Sequence, residues 1–179
     1  MGVVVPALAA EWGLPPGSFG PALAASFIGV AVGSALAGTL SDRFGRRPTL
    51  IVMTALVGLF TLVTAFVRDL DQLFAARFLT GLNAGATIPI VLALTAEYVP
   101  SRYRSLLVVA MFAGAPLGGF LANAAGPALL HNYTWHSVFI IGGLAPLMIS
   151  VLLLFKLPES LRFLVLTGRH PGTARELLS

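Results

Sequence analysis

The sequence has no cysteine, so disulfides and thiolate metal sites are excluded. It is also short of charge. Asp, Glu, Lys and Arg together make up 10% of the 179 residues, against about 25% in soluble domains, and a soluble fold of this length could not cover its surface with so few. No glycine-rich phosphate loop ending in lysine is present, so nothing supports an ATP-driven machine. No pair of carboxylates and no His–carboxylate cluster falls inside the apolar runs, where a membrane enzyme would need one. His131 and His136 stand beside Tyr133 and Trp135 in a short connection, a grouping of the kind that marks a membrane–water boundary; no metal site and no cofactor is expected there. No positive flank precedes the apolar stretch Gly2 to Ala10, so it does not read as a signal peptide.

What is present is apolar length. Hydrophobic residues make up 57% of the chain and mean hydropathy is +0.91. The segments Trp12 to Ser41 and Pro48 to Val67 carry no formal charge, and the cluster Asp42, Arg43, Arg46, Arg47 lies between them. A helix crosses the hydrocarbon core in roughly 20 apolar residues. The pattern therefore predicts an all-α membrane protein with spans at 18–40, 48–67, 73–96, 105–130 and 136–155. Gly2 to Ala10 is too short to cross and reads as the outer end of a first span whose beginning is missing. The expected layout is a transmembrane unit over 1–156 followed by a cytoplasmic segment at 157–179.

Basic residues set the orientation. Arg43, Arg46, Arg47, Arg102, Arg104, Lys156, Arg162, Arg169 and Arg175 share one side, and only Arg68 and Arg77 fall toward the other. Cytoplasmic loops carry the Lys/Arg excess. The 41–47 loop, the 100–104 loop and the tail are thus expected inside, and the loops 11–17, 68–72 and 131–135 outside. Topology accounts for the high isoelectric point, near 10.4, so no nucleic-acid partner is expected. Pairs of glycines four apart, Gly29/Gly33, Gly81/Gly85 and Gly114/Gly118, are expected to let helix backbones approach closely in lipid. Pro89, Pro116, Pro127 and Pro146 lie within or near spans and can bend them.

Three constellations carry chemistry. Gly38, Asp42, Arg43, Gly45, Arg46 and Arg47 share one short turn between apolar runs: Gly45 permits the sharp turn, Gly38 allows tight helix packing, and Asp42 can accept from a helix N-terminus or pair with an arginine. Glu97, Pro100 and Arg104 follow the 73–96 span on the same side, with Pro100 ending the helix and Glu97 expected near Arg46 or Arg104 in an ion-pair network that holds one conformation closed. Arg77, followed by Thr80, Gly81, Asn83 and Gly85, places a cation inside a span, where an ionisable residue is functional by default unless it snorkels outward or pairs with Asp69 or Asp71.

These residues resemble the major facilitator superfamily. The first constellation is similar to its cytoplasmic signature, and the third to its Arg-and-glycine motif associated with proton coupling, although Asn83 stands where glycine is expected. Trp12-Gly13-Leu14, Phe19-Gly20, Arg102 to Leu107, Met111-Phe112, Trp135 to Phe139 and Leu157 to Leu164 resemble the aromatic acid:proton symporters, with Trp135-His136 in place of Trp-Arg. The resemblance implies an N-terminal six-helix bundle, its first helix truncated, of a twelve-helix fold with substrate between two halves. It implies proton-coupled uptake of benzoate-like carboxylates by alternating access in a bacterial inner membrane, driven by the proton gradient without a cofactor. Arg77 would attract carboxylate; Thr80, Asn83, Thr87, Ser26 and Asn123 are the weaker, hydrogen-bonding candidates. The lipid bilayer, a small carboxylate and a C-terminal half of the same transporter are the implied partners. Within the superfamily the alternatives are a sugar or other organic-acid porter, given Pro158-Glu159-Ser160, and a drug:proton antiporter, whose fifth-span signature Ala115 to Gly119 does not match. A non-transporting sensor or a membrane enzyme is the alternative of a different class.

Overall fold

The computed structural model describes residues 4–132 and 134–157. Expectations placed on the side chains of Asn123 and His131, on Tyr133, and on the segment 158–179 lie outside the described residues. Among the described residues the helices are α1 Val5–Trp12, α2 Gly20–Phe44, α3 Arg46–Thr64, α4 Leu70–Tyr98, α5 Ser101–Asn132 and α6 Trp135–Lys156, with a 3-10 turn at Pro16–Phe19. The last five are long and apolar enough to cross a membrane; α1, with 8 residues, is not.

The connections are tighter than the charge pattern alone implies. Gly45 by itself separates α2 from α3, and Val99 and Pro100 separate α4 from α5. Arg43, Arg46, Arg102 and Arg104 therefore sit on helix ends rather than in loops, because only Gly45 and Pro100 break the helical run there. Gly45 has φ +92°, a region that a side chain makes costly. Glu11 and Trp12, expected in an outer loop, complete α1, which closes on Gly13 at φ +65°. At the start of α4, the Asp69 carboxylate accepts from the Gln72 N–H at 2.8 Å, and the Gln72 side chain accepts from the Arg68 N–H at 3.1 Å. Together they satisfy donors that a helix start leaves open.

Packing follows a stripe of small residues. Ala22, Ala25, Gly29, Gly33, Ala37 and Ser41 are the buried face of α2, spaced three or four apart as a helix face requires. They lie against α4, whose buried face includes Ala76, Gly81, Gly85 and Ala86. The backbones nearly touch: a Cβ on Gly29 or Gly33 would strike the carbonyl oxygen of Phe78 or Leu82, and one on Gly81 or Gly85 that of Ser26 or Val30. A second seam joins α3 to α6, where Gly58 and Gly143 face each other's carbonyl oxygens. The sequence pattern did not single these two out, since neither has a glycine partner four residues away. The pattern also misplaced others. A Cβ on Gly38, Gly114 or Gly118 would meet nothing within 4 Å, so these three pack against no described neighbour.

The large apolar side chains point the other way. Phe27 and Phe155 are 78% and 83% exposed, and Ile28, Leu36, Phe120, Met148 and Leu152 are exposed too. A bundle with glycine and alanine inside and phenylalanine outside has the reverse of a soluble protein's partition and suits lipid surroundings. Two buried apolar clusters remain inside. One gathers Leu8, Phe19, Leu73, Trp135 and Phe139 at the α1 end. The other gathers Ala37, Leu50, Ala86, Ile90 and Leu94 toward the Gly45 end.

Candidate functional site

The charged end is built on the Gly45 turn. The Gly45 N–H donates to the Ser41 carbonyl at 3.0 Å, and the Gly45 carbonyl accepts the Thr49 hydroxyl at 2.6 Å, so α2 and α3 are clamped head to tail. This places Arg46 on the first turn of α3, where its guanidinium forms an ion pair with Glu97 near the end of α4. Both side chains are largely covered, at 15% and 17% exposure. The Arg104 guanidinium donates to the Ala96 carbonyl of the same helix end at 2.7 Å, next to Glu97 in the chain. Arg47 donates to the Leu154 carbonyl at 2.7 Å, satisfying one of the acceptors left open at the end of α6. This contact was invisible in sequence because it joins residues 107 positions apart. Asp42 is exposed and ion-paired to no described residue, Gly38 is exposed, and Arg43 lies over the Phe44 ring at 5.5 Å.

Breaking the Arg46–Glu97 pair has a measurable cost. Glu97→Gln leaves the Arg46 guanidinium facing a neutral amide, and the partial cover lifts the loss to the upper end of the exposed range, about 1 kcal/mol. The expected outcome is a melting temperature about 2–4 °C lower in detergent. Arg104→Gln, followed by the same circular-dichroism melt, is expected to change less.

Four expected site residues sit on α4 and behave differently. Arg77 is 8% exposed. One guanidinium nitrogen donates to the Thr64 hydroxyl of α3 at 2.6 Å, and the group lies over the Phe139 ring of α6 at 5.2 Å, a cation–π contact. Its Nε has no hydrogen-bond partner. Arg77 therefore neither snorkels nor pairs with Asp69 or Asp71; it is held between α3 and α6. Asn83 is 3% exposed and its amide donates to the Leu79 carbonyl at 2.7 Å. Thr80 and Thr87 donate to the Ala76 and Ala84 carbonyls at 2.8 and 2.6 Å. Thr64 was missed by sequence reasoning. Its only signal is that it follows Thr61 at helical spacing in an otherwise apolar run.

Thr87 lines two hollows. It borders a cavity of about 310 Å³ between α4 and α5, with Ile88, Val91, Met111 and Phe112. It also borders one of about 640 Å³ among α3, α4 and α6, with Thr54, Leu94 and Leu153. Both hollows are mostly apolar, with threonine in each and Tyr98 in the larger, a lining suited to small organic molecules with an apolar body. Arg77, Thr80 and Asn83 border neither. No group of three or more His, Asp or Glu side chains that could hold a metal occurs among the described residues.

A family model described as the Major Facilitator Superfamily matches residues 1–171. The chain is 42% identical over 179 residues to a 4-hydroxybenzoate transporter of Pseudomonas aeruginosa, covering all of this chain and 40% of the relative. It is 40% identical over 164 residues to a gallate transporter of Pseudomonas putida, covering 92% of this chain and 36% of that one. It is 33% identical over 169 residues to a benzoate transport protein of Acinetobacter baylyi, covering 92% and 36%. The chain thus spans about two fifths of the length of these relatives. In fold it is similar to the inward-open xylose transporter of E. coli, with a TM-score of 0.74 at 22% identity, covering 90% of this chain and 44% of that one.

Proposed function

Because this chain belongs to the major facilitator superfamily, whose members are integral membrane proteins, we propose that it forms the N-terminal half of a secondary active transporter that takes up small aromatic carboxylates with protons. The observation that carries this reading is the likeness, over 92–100% of this chain, to part of transporters named for 4-hydroxybenzoate, gallate and benzoate. Arg77 supports it. A guanidinium buried at membrane depth, with Thr64 and the Phe139 ring but no carboxylate beside it among the described residues, favours an anion nearby. Transport proceeds by alternating access between this bundle and a second half of the same protein. The proton gradient supplies the driving force, and no cofactor is called for. Arg46 and Glu97 hold α3 and α4 together at the charged end; Asp42, Arg43 and Arg47 complete that end. The location is a bacterial inner membrane, with the Gly45 end and the tail in the cytoplasm. Apolar hollows bordered by Thr87 suit the ring of an aromatic acid.

The test is uptake of labelled 4-hydroxybenzoate by cells expressing the full-length transporter that contains this chain. Accumulation that collapses on adding a protonophore is expected. Uptake indifferent to the protonophore, or no uptake of any benzoate-like acid by a protein present in the membrane, would overturn the reading.

A further inference from the structure

The end of the bundle opposite Gly45 holds a hollow unlike the other two. It measures about 310 Å³ and is lined by Glu11 and Trp12 from α1, Phe66 and Arg68 from the α3–α4 connection, and Trp135 and His136 from α6. Trp135 is buried, and its indole N–H donates to Glu11 Oε2 at 2.5 Å, which occupies one of about four acceptor positions on that carboxylate. The His136 ring stacks on Trp135 at 3.8 Å, and Trp12 meets Trp135 edge-on at 6.4 Å. Neither Glu11 nor Arg68 is ion-paired with a described residue. One small aromatic hollow thus presents an anion and a cation, both with capacity to spare.

We propose that this hollow binds the zwitterionic headgroup of a phosphoethanolamine lipid. The phosphate sits at Arg68 and His136. The ammonium sits at Glu11, beside the half-buried Trp12 ring, where a cation is favoured. Charge complementarity selects this ligand. A purely anionic headgroup or an aromatic carboxylate would meet Glu11 as well as Arg68, whereas a ligand with both signs pairs both. A primary ammonium also donates hydrogen bonds to the carboxylate, which a quaternary ammonium does not. Depth agrees, because the hollow lies where the apolar runs of α3 and α6 stop, beside Phe66 at 71% exposure, the level at which aromatic side chains meet headgroups. The inference rests on the reading that the bundle crosses a bilayer, and it is independent of what the complete protein carries.

The two tryptophans of the chain, Trp12 and Trp135, both line this hollow, so intrinsic fluorescence reports on it alone. The experiment titrates water-soluble dihexanoyl phosphatidylethanolamine into the chain held in detergent micelles, with the phosphatidylcholine and phosphatidylglycerol analogues and 4-hydroxybenzoate as separate arms. The expected result is a saturable change in tryptophan emission at a concentration about fivefold lower for the ethanolamine lipid, the ratio one added hydrogen bond from its ammonium to Glu11 gives. The preference should disappear in Glu11→Gln, whereas Arg68→Gln should raise the midpoint of all three lipids, which share the phosphate, both at unchanged helix content. Equal midpoints for the three lipids, a preference retained in Glu11→Gln, midpoints unmoved in Arg68→Gln, or a lower midpoint for 4-hydroxybenzoate would overturn the proposal. Should a variant lose its helix content, the wild-type comparison among headgroups decides alone. A chain that fails to enter micelles would refute the membrane reading instead, which keeps the two failures apart.

Discussion

Gly33→Val is expected to break the bundle, lowering the melting temperature in detergent by about 10 °C, whereas Gly118→Val changes it by no more than about 2 °C. Both are glycines in apolar helices, one in each of two similar four-residue pairs. At Gly33 the added Cβ would strike the Leu82 carbonyl oxygen and come within 2.7 Å of the Leu82 carbonyl carbon. These are backbone atoms and cannot swing aside as a side chain does. The two helices must separate along their whole seam, giving up the contacts of Ala25, Gly29 and Ala37 as well. Overpacking costs typically 1–3 kcal/mol, and the backbone collision places this variant at or above the top of that range. At Gly118 the added group meets nothing within 4 Å. Circular-dichroism melts of the two variants check the difference, and equal melting temperatures would refute the α2–α4 seam.

Arg77→Met in the full-length transporter is expected to fold at least as well as the wild type yet lose transport, with uptake down about tenfold to a hundredfold. Methionine fills similar apolar space and removes a buried cation whose Nε has no partner, a replacement that is often neutral or stabilising. A charge-assisted hydrogen bond from the guanidinium to a carboxylate substrate is worth about 1.5–3 kcal/mol, which sets the range for a cation that acts in the transport cycle. Arg77→Lys keeps the charge but loses the planar contact over Phe139, so intermediate uptake is expected. Uptake by Arg77→Met equal to wild type at equal membrane abundance would make Arg77 a packing residue.

The helices were legible because apolar runs are long and their breaks carry Gly, Pro or charge: Gly13 and Pro15 before α2, Gly45 before α3, Asp69 before α4 and Pro100 before α5. The α2–α4 seam was half legible. The Gly29/Gly33 and Gly81/Gly85 pairs pointed to it, but the same spacing at Gly114/Gly118 packs against no described neighbour, because spacing places residues on one face and does not say which helix, if any, covers that face. Gly38 misled for the same reason. At the charged end the sequence offered both Arg46 and Arg104 as partners of Glu97, and only the three-dimensional crossing of α3 and α4 brings Arg46 to it. Arg77 was recognisable as a cation at membrane depth. Its seat between Thr64 and Phe139 depends on the rotation of α4, which hydropathy does not determine. Glu11 looked like a loop residue and instead bonds across 124 positions to Trp135.

The absence of cysteine makes the most direct measurement simple, since any introduced thiol is unique within this chain. Asp71→Cys lies at the α4 start and Ser101→Cys at the α5 start, both exposed and at opposite ends of the bundle. With a membrane-impermeant maleimide, Asp71→Cys is predicted to label in intact cells and Ser101→Cys only after permeabilisation. Labelling of both in intact cells, or recovery of the protein from the soluble fraction, would contradict a bundle that crosses the membrane with its arginine-rich end inside.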